Sequence, residues 1–289
     1  RPISNILFWP ENAILGDLFL DSLNGSHAIQ RIRNELLAGK VPVEVMETGE
    51  MELTGTEPKK VNGPKVMVVT GAIVDEITTA PDPATYQPNI LYDPQHDYHF
   101  KSYNTALLIK SDATPRVKFK KRLVPMSEQV PPQKIFAPLV RLVPNLEDFN
   151  FSPAGKDYPV FDFGKVNITS ATNNPTTKKS RTSPDTKTTQ SDLTHPDSMN
   201  TLNIQTSPII CYGSAFSTFT AKEVLQTNST FLAIILNEGW MKSETAYRHF
   251  NWFSICRAIE NRRFVVKSSN EGITTLIDSK GTSKEQLSG

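Results

Sequence analysis

A chain of 289 residues carrying 31 Lys and Arg against 30 Asp and Glu has a formal net charge of +1, which leaves no electrostatic footprint for nucleic acid or for an anionic membrane surface. Its length allows one large domain or two small ones, with a sizeable core in either case. Two cysteines, Cys211 and Cys256, cannot make a disulfide framework, no Cys or His pair has zinc-ligand spacing, and His96 and His99 sit in a Pro-, Asp- and Tyr-rich stretch that reads as surface. No apolar run approaches the roughly 20 residues that span a bilayer, and no segment reads as a signal peptide.

The chain begins at Arg1 without an initiating Met and reaches a strand-like run by Ile6, so it reads as a piece of something longer. Ile6-Leu7-Phe8-Trp9 is a short buried strand stopped by Pro10, which leaves Glu11 at the strand's carboxyl end. Taken locally, Glu11 is a solvated loop carboxylate as readily as a functional one. Ser26 has the chemistry of a helix N-cap, with Ile29, Ile32, Leu36 and Leu37 on one face and an end near Gly39. Residues 46–64 read as a polar loop, and Lys65 to Val74 as a strong buried strand. Four prolines between 75 and 100 predict a long irregular excursion. Tyr103 to Ile109 and Arg116 to Lys120 then form a hairpin around the turn at residues 112–115. The cations Lys118, Lys120, Lys121 and Arg122 would ordinarily be a solvated edge.

From about Lys165 to Thr206 the chain is dominated by Thr, Ser, Asn, Asp, Pro and Lys, the composition of a disordered insertion. The expected organisation is therefore residues 1–164 and 207–289 as two parts of one domain, with 165–206 inserted between them. Beyond the insertion comes Pro208-Ile209-Ile210-Cys211-Tyr212-Gly213-Ser214, a buried strand broken just after a thiol. A cysteine there either packs as a small hydrophobe or is turned toward a substrate. Phe231 to Leu236 is another buried strand. A helix follows from about Ser243 to Arg263, with Ala246, Phe250, Phe253, Cys256 and Ile259 at helical spacing, so Cys256 is expected in a packed face. Strands Phe264 to Lys267 and Ile273 to Asp278 close the pattern.

Six segments in order resemble the carbon-nitrogen hydrolase (nitrilase) superfamily and, within it, the catalytic domain of the apolipoprotein N-acyltransferase family. They are Trp9-Pro10-Glu11-Asn12-Ala13, Tyr103-Asn104-Thr105-Ala106, Lys120-Lys121-Arg122-Leu123-Val124-Pro125 with Glu128 and Pro131, Ile210-Cys211-Tyr212, Asn237-Glu238-Gly239-Trp240, and Arg257-Ala258-Ile259-Glu260 with Asn270-Glu271-Gly272-Ile273. The resemblance implies an α/β fold, the αββα sandwich of two mixed sheets between helix layers, here without the strand and helix that usually open it. It also implies a Glu, Lys and Cys triad: Glu11 as general base, Lys120 as cationic stabiliser and Cys211 as nucleophile, with Glu128, Tyr212 and Trp240 supporting the site. A thiol is mostly protonated near neutrality, so it needs a carboxylate to take its proton and a cation to stabilise the developing charge.

The implied reaction moves an acyl chain from a phospholipid, through a Cys thioester, to the N-terminal amine of a diacylglyceryl-modified lipoprotein. It needs no cofactor and no metal, and no nucleic acid takes part. The family works at the bacterial inner membrane, on its periplasmic face, anchored by helices that this chain does not contain. The sequence also departs from the family. Gly213 stands where a Glu follows Cys-Tyr, Lys118 where a Tyr is usual, Glu238 for an Asp and Arg248 for a Gln beside His249. Two alternatives follow: a soluble amidase using the same triad, and a weakened homologue that binds without turnover.

Overall fold

A computed structural model describes residues 5–14, 18–34, 66–81, 89–111, 113–125, 127–128, 153–168 and 200–288. Two five-stranded sheets face one another. In the first, β1 (Asn5–Phe8) runs parallel to β2 (Val66–Thr78), β2 pairs antiparallel with β4 (Tyr98–Ile109), and β4 carries both β3 (Leu91–Asp93) and β5 (Arg116–Phe119) on its far edge. In the second, β8 (Ile209–Ile210), β9 (Leu232–Leu236) and β10 (Val265–Ser269) are parallel, and β11 (Ile273–Ile277) and β12 (Ser283–Ser288) continue antiparallel.

Period-two alternation sorts the first sheet's side chains onto two faces. Met67 and Val69 of β2, with Ala106 and Leu108 of β4, point inward and pack in one core with Ile209, Ile234 and Leu236 of the second sheet. Val68, Ala72 and Val74, with Leu107 and Ile109, point outward into a second core closed by Leu23, Ile29 and Ile32. The last two belong to α1 (His27–Ile32), which begins where expected, with the Ser26 hydroxyl accepting from the Ile29 amide at 3.3 Å. Leu36, Leu37 and Gly39 lie outside the described residues. On the other side, α2 (Ser217–Thr227) and α3 (Glu244–Asn261) pack on each other, and α3 lies on β10 and β11. The layers are helix, sheet, sheet, helix, as the α/β sandwich requires.

Three expectations change. The excursion at 75–100 carries strand at both ends and at Leu91–Asp93: β2 runs to Thr78, opposite His99, because Pro81 and Pro94 fall beyond the ladder and in a turn rather than within it, and residues 82–88 lie outside the described residues. The segment 165–206 is strand at both ends, since β6 (Phe161–Ile168) and β7 (Asn200–Thr206) form an antiparallel ribbon whose Phe161, Phe163 and Ile204 join the inner core. Residues 46–64 and 169–199 lie outside the described residues. In α3 the buried residues are Ser254, Arg257 and Ala258, while Cys256 and Ile259 are exposed. The small Ser and Ala suit close helix-on-sheet packing, and Arg257 buries its guanidinium by donating to the Ser214 carbonyl and to Glu260.

Candidate active site

Glu11, Lys120 and Cys211 each sit just past the end of a strand, and each is turned inward by a specific local device. After β1 the chain lies directly on β2: the Trp9 amide donates to the Val69 carbonyl at 2.8 Å and the Gly71 amide to the Pro10 carbonyl at 3.0 Å. Only glycine permits this approach, since a Cβ at residue 71 would lie 2.4 Å from the Glu11 Cα. Lys120 follows β5, its amide donating to the Asn104 carbonyl at 2.8 Å, which places it on the same inward face as Asn104. Cys211 follows β8 and opens a 3₁₀ turn, Cys211–Ala215, in which the Ser214 hydroxyl donates to the Cys211 carbonyl at 2.8 Å. Cys211 has φ +47°, a conformation that costs a non-glycine residue free energy and often marks a functional turn.

These devices bring the three side chains into one buried cluster. The Lys120 ammonium donates to Glu11 Oε1 at 2.9 Å and to Glu128 Oε1 at 2.6 Å. The Asn104 amide donates to Glu11 Oε1 at 2.6 Å and, more weakly, to Glu128 Oε1 at 3.3 Å. Glu11 Oε2 accepts from the Asn237 backbone N–H at 2.9 Å, and Glu128 Oε2 from the Val124 N–H at 2.9 Å. Lys120, Glu11 and Cys211 are almost fully buried, and Glu128 lies toward the outside at 20% exposed.

The electrostatics are those of a protonated thiol beside a carboxylate. Burial pushes the Cys211 thiol up, the Glu11 charge pushes it further, Lys120 pulls it back, and the hydrogen bond to Glu11 and the Glu128 charge add to the rise. Burial also opposes the Lys120 charge, but Glu11, then Cys211 and Glu128, outweigh it and hold the ammonium above the ordinary lysine range. In this arrangement the resting thiol keeps its proton, and the Glu11 carboxylate and the Lys120 ammonium are the charges that bear on it most.

Tyr212 and Trp240 stand apart from this hydrogen-bonded cluster. Tyr212 is half-buried with its ring edge-on to Phe216, and Trp240 is 63% exposed on the turn Gly239–Met241. Of the altered positions, Gly213 is packed by Phe219 and Ile209, Arg248 pairs with Glu244 one turn away, and His249 is exposed. Glu238 is fully buried: it takes the Lys267 ammonium at 3.1 Å and the Ser269 hydroxyl, directly beneath the loop whose Asn237 amide binds Glu11. Burial holds the Lys267 ammonium below its ordinary range despite Glu238.

The solvated edge expected at residues 118–122 is a misreading for three of its four cations. Lys118 and Lys120 are each 2% exposed, the Lys121 side chain is 7% exposed, and only Arg122 reaches solvent, its guanidinium over Phe216 and Phe219. Lys118 donates to Ser207 Oγ at 2.8 Å and to Glu223 Oε2 at 2.7 Å. Burial pushes its pKa down to about 8 against the pull of Glu223, with Lys121 adding to the fall. Residue-by-residue reading also passed over Gly71, Asn104 and Asn237. Asn104 did leave a signal, as a polar side chain two residues before the apolar run Ala106–Ile109 of β4. Among the described residues no group of His, Cys, Asp and Glu could hold a metal ion.

No protein-family model matches the chain. Among curated proteins it is 36% identical over 83 residues to the apolipoprotein N-acyltransferase of Rickettsia bellii, a match covering 27% of this chain and 15% of that one. It is 27% identical over 191 residues to that of Chlorobaculum tepidum, covering 64% of this chain and 28% of the relative. The chain resembles the apolipoprotein N-acyltransferases. Each match spans less than a third of the length of the curated relative. Of solved structures, the C. elegans NitFhit protein aligns over 98% of this chain and 50% of its own, at 16% identity and a TM-score of 0.47. No helix among the described residues is long and apolar enough to cross a membrane, whereas the apolipoprotein N-acyltransferase relatives extend well beyond the matched segment.

Proposed function

We propose that this domain is an N-acyltransferase that carries an acyl chain on Cys211. Glu11 takes the thiol proton as Sγ attacks the ester carbonyl of a phospholipid, and Lys120 stabilises the sulfur and the developing oxyanion. Collapse breaks the acyl ester C–O bond, Glu11 returns the proton to the departing lysophospholipid, and a thioester remains. The N-terminal amine of a diacylglyceryl-modified lipoprotein then attacks the thioester, Glu11 accepts the amine proton and returns it to the Cys211 sulfur, and the amide forms. Glu128 and Asn104 orient Glu11 and Lys120. The reaction would take place on the outer face of a bacterial inner membrane. The observation that carries this reading is the convergence of Glu11, Lys120 and Cys211, from three distant segments, in one buried cluster.

The test is acyl-thioester trapping. The protein is incubated with phospholipid vesicles and Cys211 is followed by intact-mass and peptide mass spectrometry. An adduct of acyl mass on Cys211, absent from Cys211→Ala and strongly reduced in Glu11→Gln, is expected. The packing of Gly213 against Phe219, where the family has a carboxylate, favours a second reading as a binding module with a weakened site. Absence of any Cys211 adduct would select that one. Release of ammonia from small amides would instead select the amidase.

A further inference from the structure

Lys118 lies two residues before Lys120 on the same inward face, opposite Ala106, and is 2% exposed. One of its partners, Ser207, precedes Cys211 by four residues, and the other, Glu223, lies on α2, the helix that leaves the Cys211 turn. The Ser207 hydroxyl also donates to Glu223 at 3.2 Å, so the three groups close on one another. The second Glu223 oxygen faces Lys121 at 3.1 Å, without hydrogen-bond geometry, and Lys121 rests over the Tyr158 ring. Ser207 and Glu223 are each 1% exposed, so no substrate reaches them. Two apolar side chains would fill this space at comparable or lower free energy. What they could not supply is direction: short hydrogen bonds from one ammonium to both sides of the nucleophile turn.

We propose that Lys118, Ser207 and Glu223 form a brace that holds the Lys120 strand in register with the Cys211 turn. They are positioning residues, acting through Lys120 and Cys211. The proposal rests on the reading of Cys211 as a nucleophile, though not on any particular substrate. Without the brace, β5 stays paired with β4 and the β8-α2 segment stays packed in the inner core, but the ammonium of Lys120 is free to drift from the sulfur.

The experiment follows alkylation of Cys211 by iodoacetamide against pH, in a Cys256→Ser background, because Cys256 is exposed and would react as well. Lys118→Met with Glu223→Leu replaces the brace by apolar volume and is expected to fold, with a melting temperature lowered because Lys121 loses the carboxylate it faces. Its Cys211 is expected to alkylate about ten-fold more slowly near neutrality, with the pH midpoint moved upward, since small misplacements in a catalytic cluster carry penalties of that order. A folded double variant with the parent's rate and midpoint overturns the brace. If the double variant does not fold, Glu223→Gln is read by the same two measures: a slower rate and raised midpoint support the brace, and parental values overturn it. A parent protein whose Cys211 never alkylates would overturn the nucleophile reading itself. A parent that alkylates but forms no thioester with phospholipid would overturn only the acyl transfer.

Discussion

Gly71 and Glu11 lie back to back: a Cβ on residue 71 would stand 2.4 Å from the Glu11 Cα and 2.6 Å from the Asn12 nitrogen. Both neighbours are backbone, and Asn12 is already held at φ +56°, so the segment cannot yield by rotating a side chain. Gly71→Ala therefore has to push the Glu11 loop off β2. The expected cost is about 1–3 kcal/mol of stability, as for overpacking elsewhere. Acyl-thioester formation at Cys211 should fall further than that loss accounts for, because the displaced atom is the carboxylate's own Cα. Thermal melting and thioester trapping on the same sample check this. Retained thioester yield would show that the loop relaxes without moving Glu11.

Much of the sandwich is legible in sequence because its inner strands are covered on both faces. Val66 to Val74 and Leu232 to Leu236 read as continuous apolar runs and are strands. The helix α2 is not legible in this way. Its buried positions are Thr220, Glu223, Val224 and Thr227, and a polar stripe at helical spacing looks like a loop until the partner of Glu223 is known. That partner, Lys118, is 105 residues away and itself reads as one of four surface cations. The candidate site divides similarly. Glu11, Lys120, Glu128 and Cys211 were singled out through the family segments and do meet, whereas Gly71 and the Asn237 amide act through the backbone, where side-chain chemistry leaves no trace.

The titration of Cys211 should respond in opposite directions to its two charged neighbours. Glu11 raises the thiol and Lys120 lowers it, each by stabilising the form of its own preference. Glu11→Gln removes a negative charge beside the sulfur, so the midpoint of iodoacetamide alkylation should move to lower pH. Lys120→Met removes the cation and should move it to higher pH. On the proposed mechanism Glu11→Gln thus makes a more acidic thiol that is nevertheless a poorer catalyst, because it lacks the group proposed to accept and return the proton. Midpoints that shift together, or not at all, would separate Cys211 from this cluster.

Gly213 stands where the resemblance implies a carboxylate, and its surroundings decide whether one can be placed there. A Cβ there would lie 2.9 Å from Phe219 Cε1 and 3.3 Å from Ile209 Cγ2, so the first atom of any side chain already meets an aromatic ring and a β-branched strand residue. Gly213 is itself buried, and a carboxylate added to this apolar packing would have to displace Phe219 or lose its hydration unpaired. Gly213→Glu is therefore expected to lower stability by about 1–3 kcal/mol and not to raise the yield of acyl-thioester. The double variant Gly213→Glu with Phe219→Ala opens room for the carboxylate and should recover part of that stability relative to Gly213→Glu alone. Its thioester yield is the informative number. A rise above the parent would mean that the Cys211 turn keeps the geometry for a neighbouring carboxylate and that Phe219 has taken its space. A melting temperature for Gly213→Glu equal to the parent's would show instead that Phe219 swings aside freely.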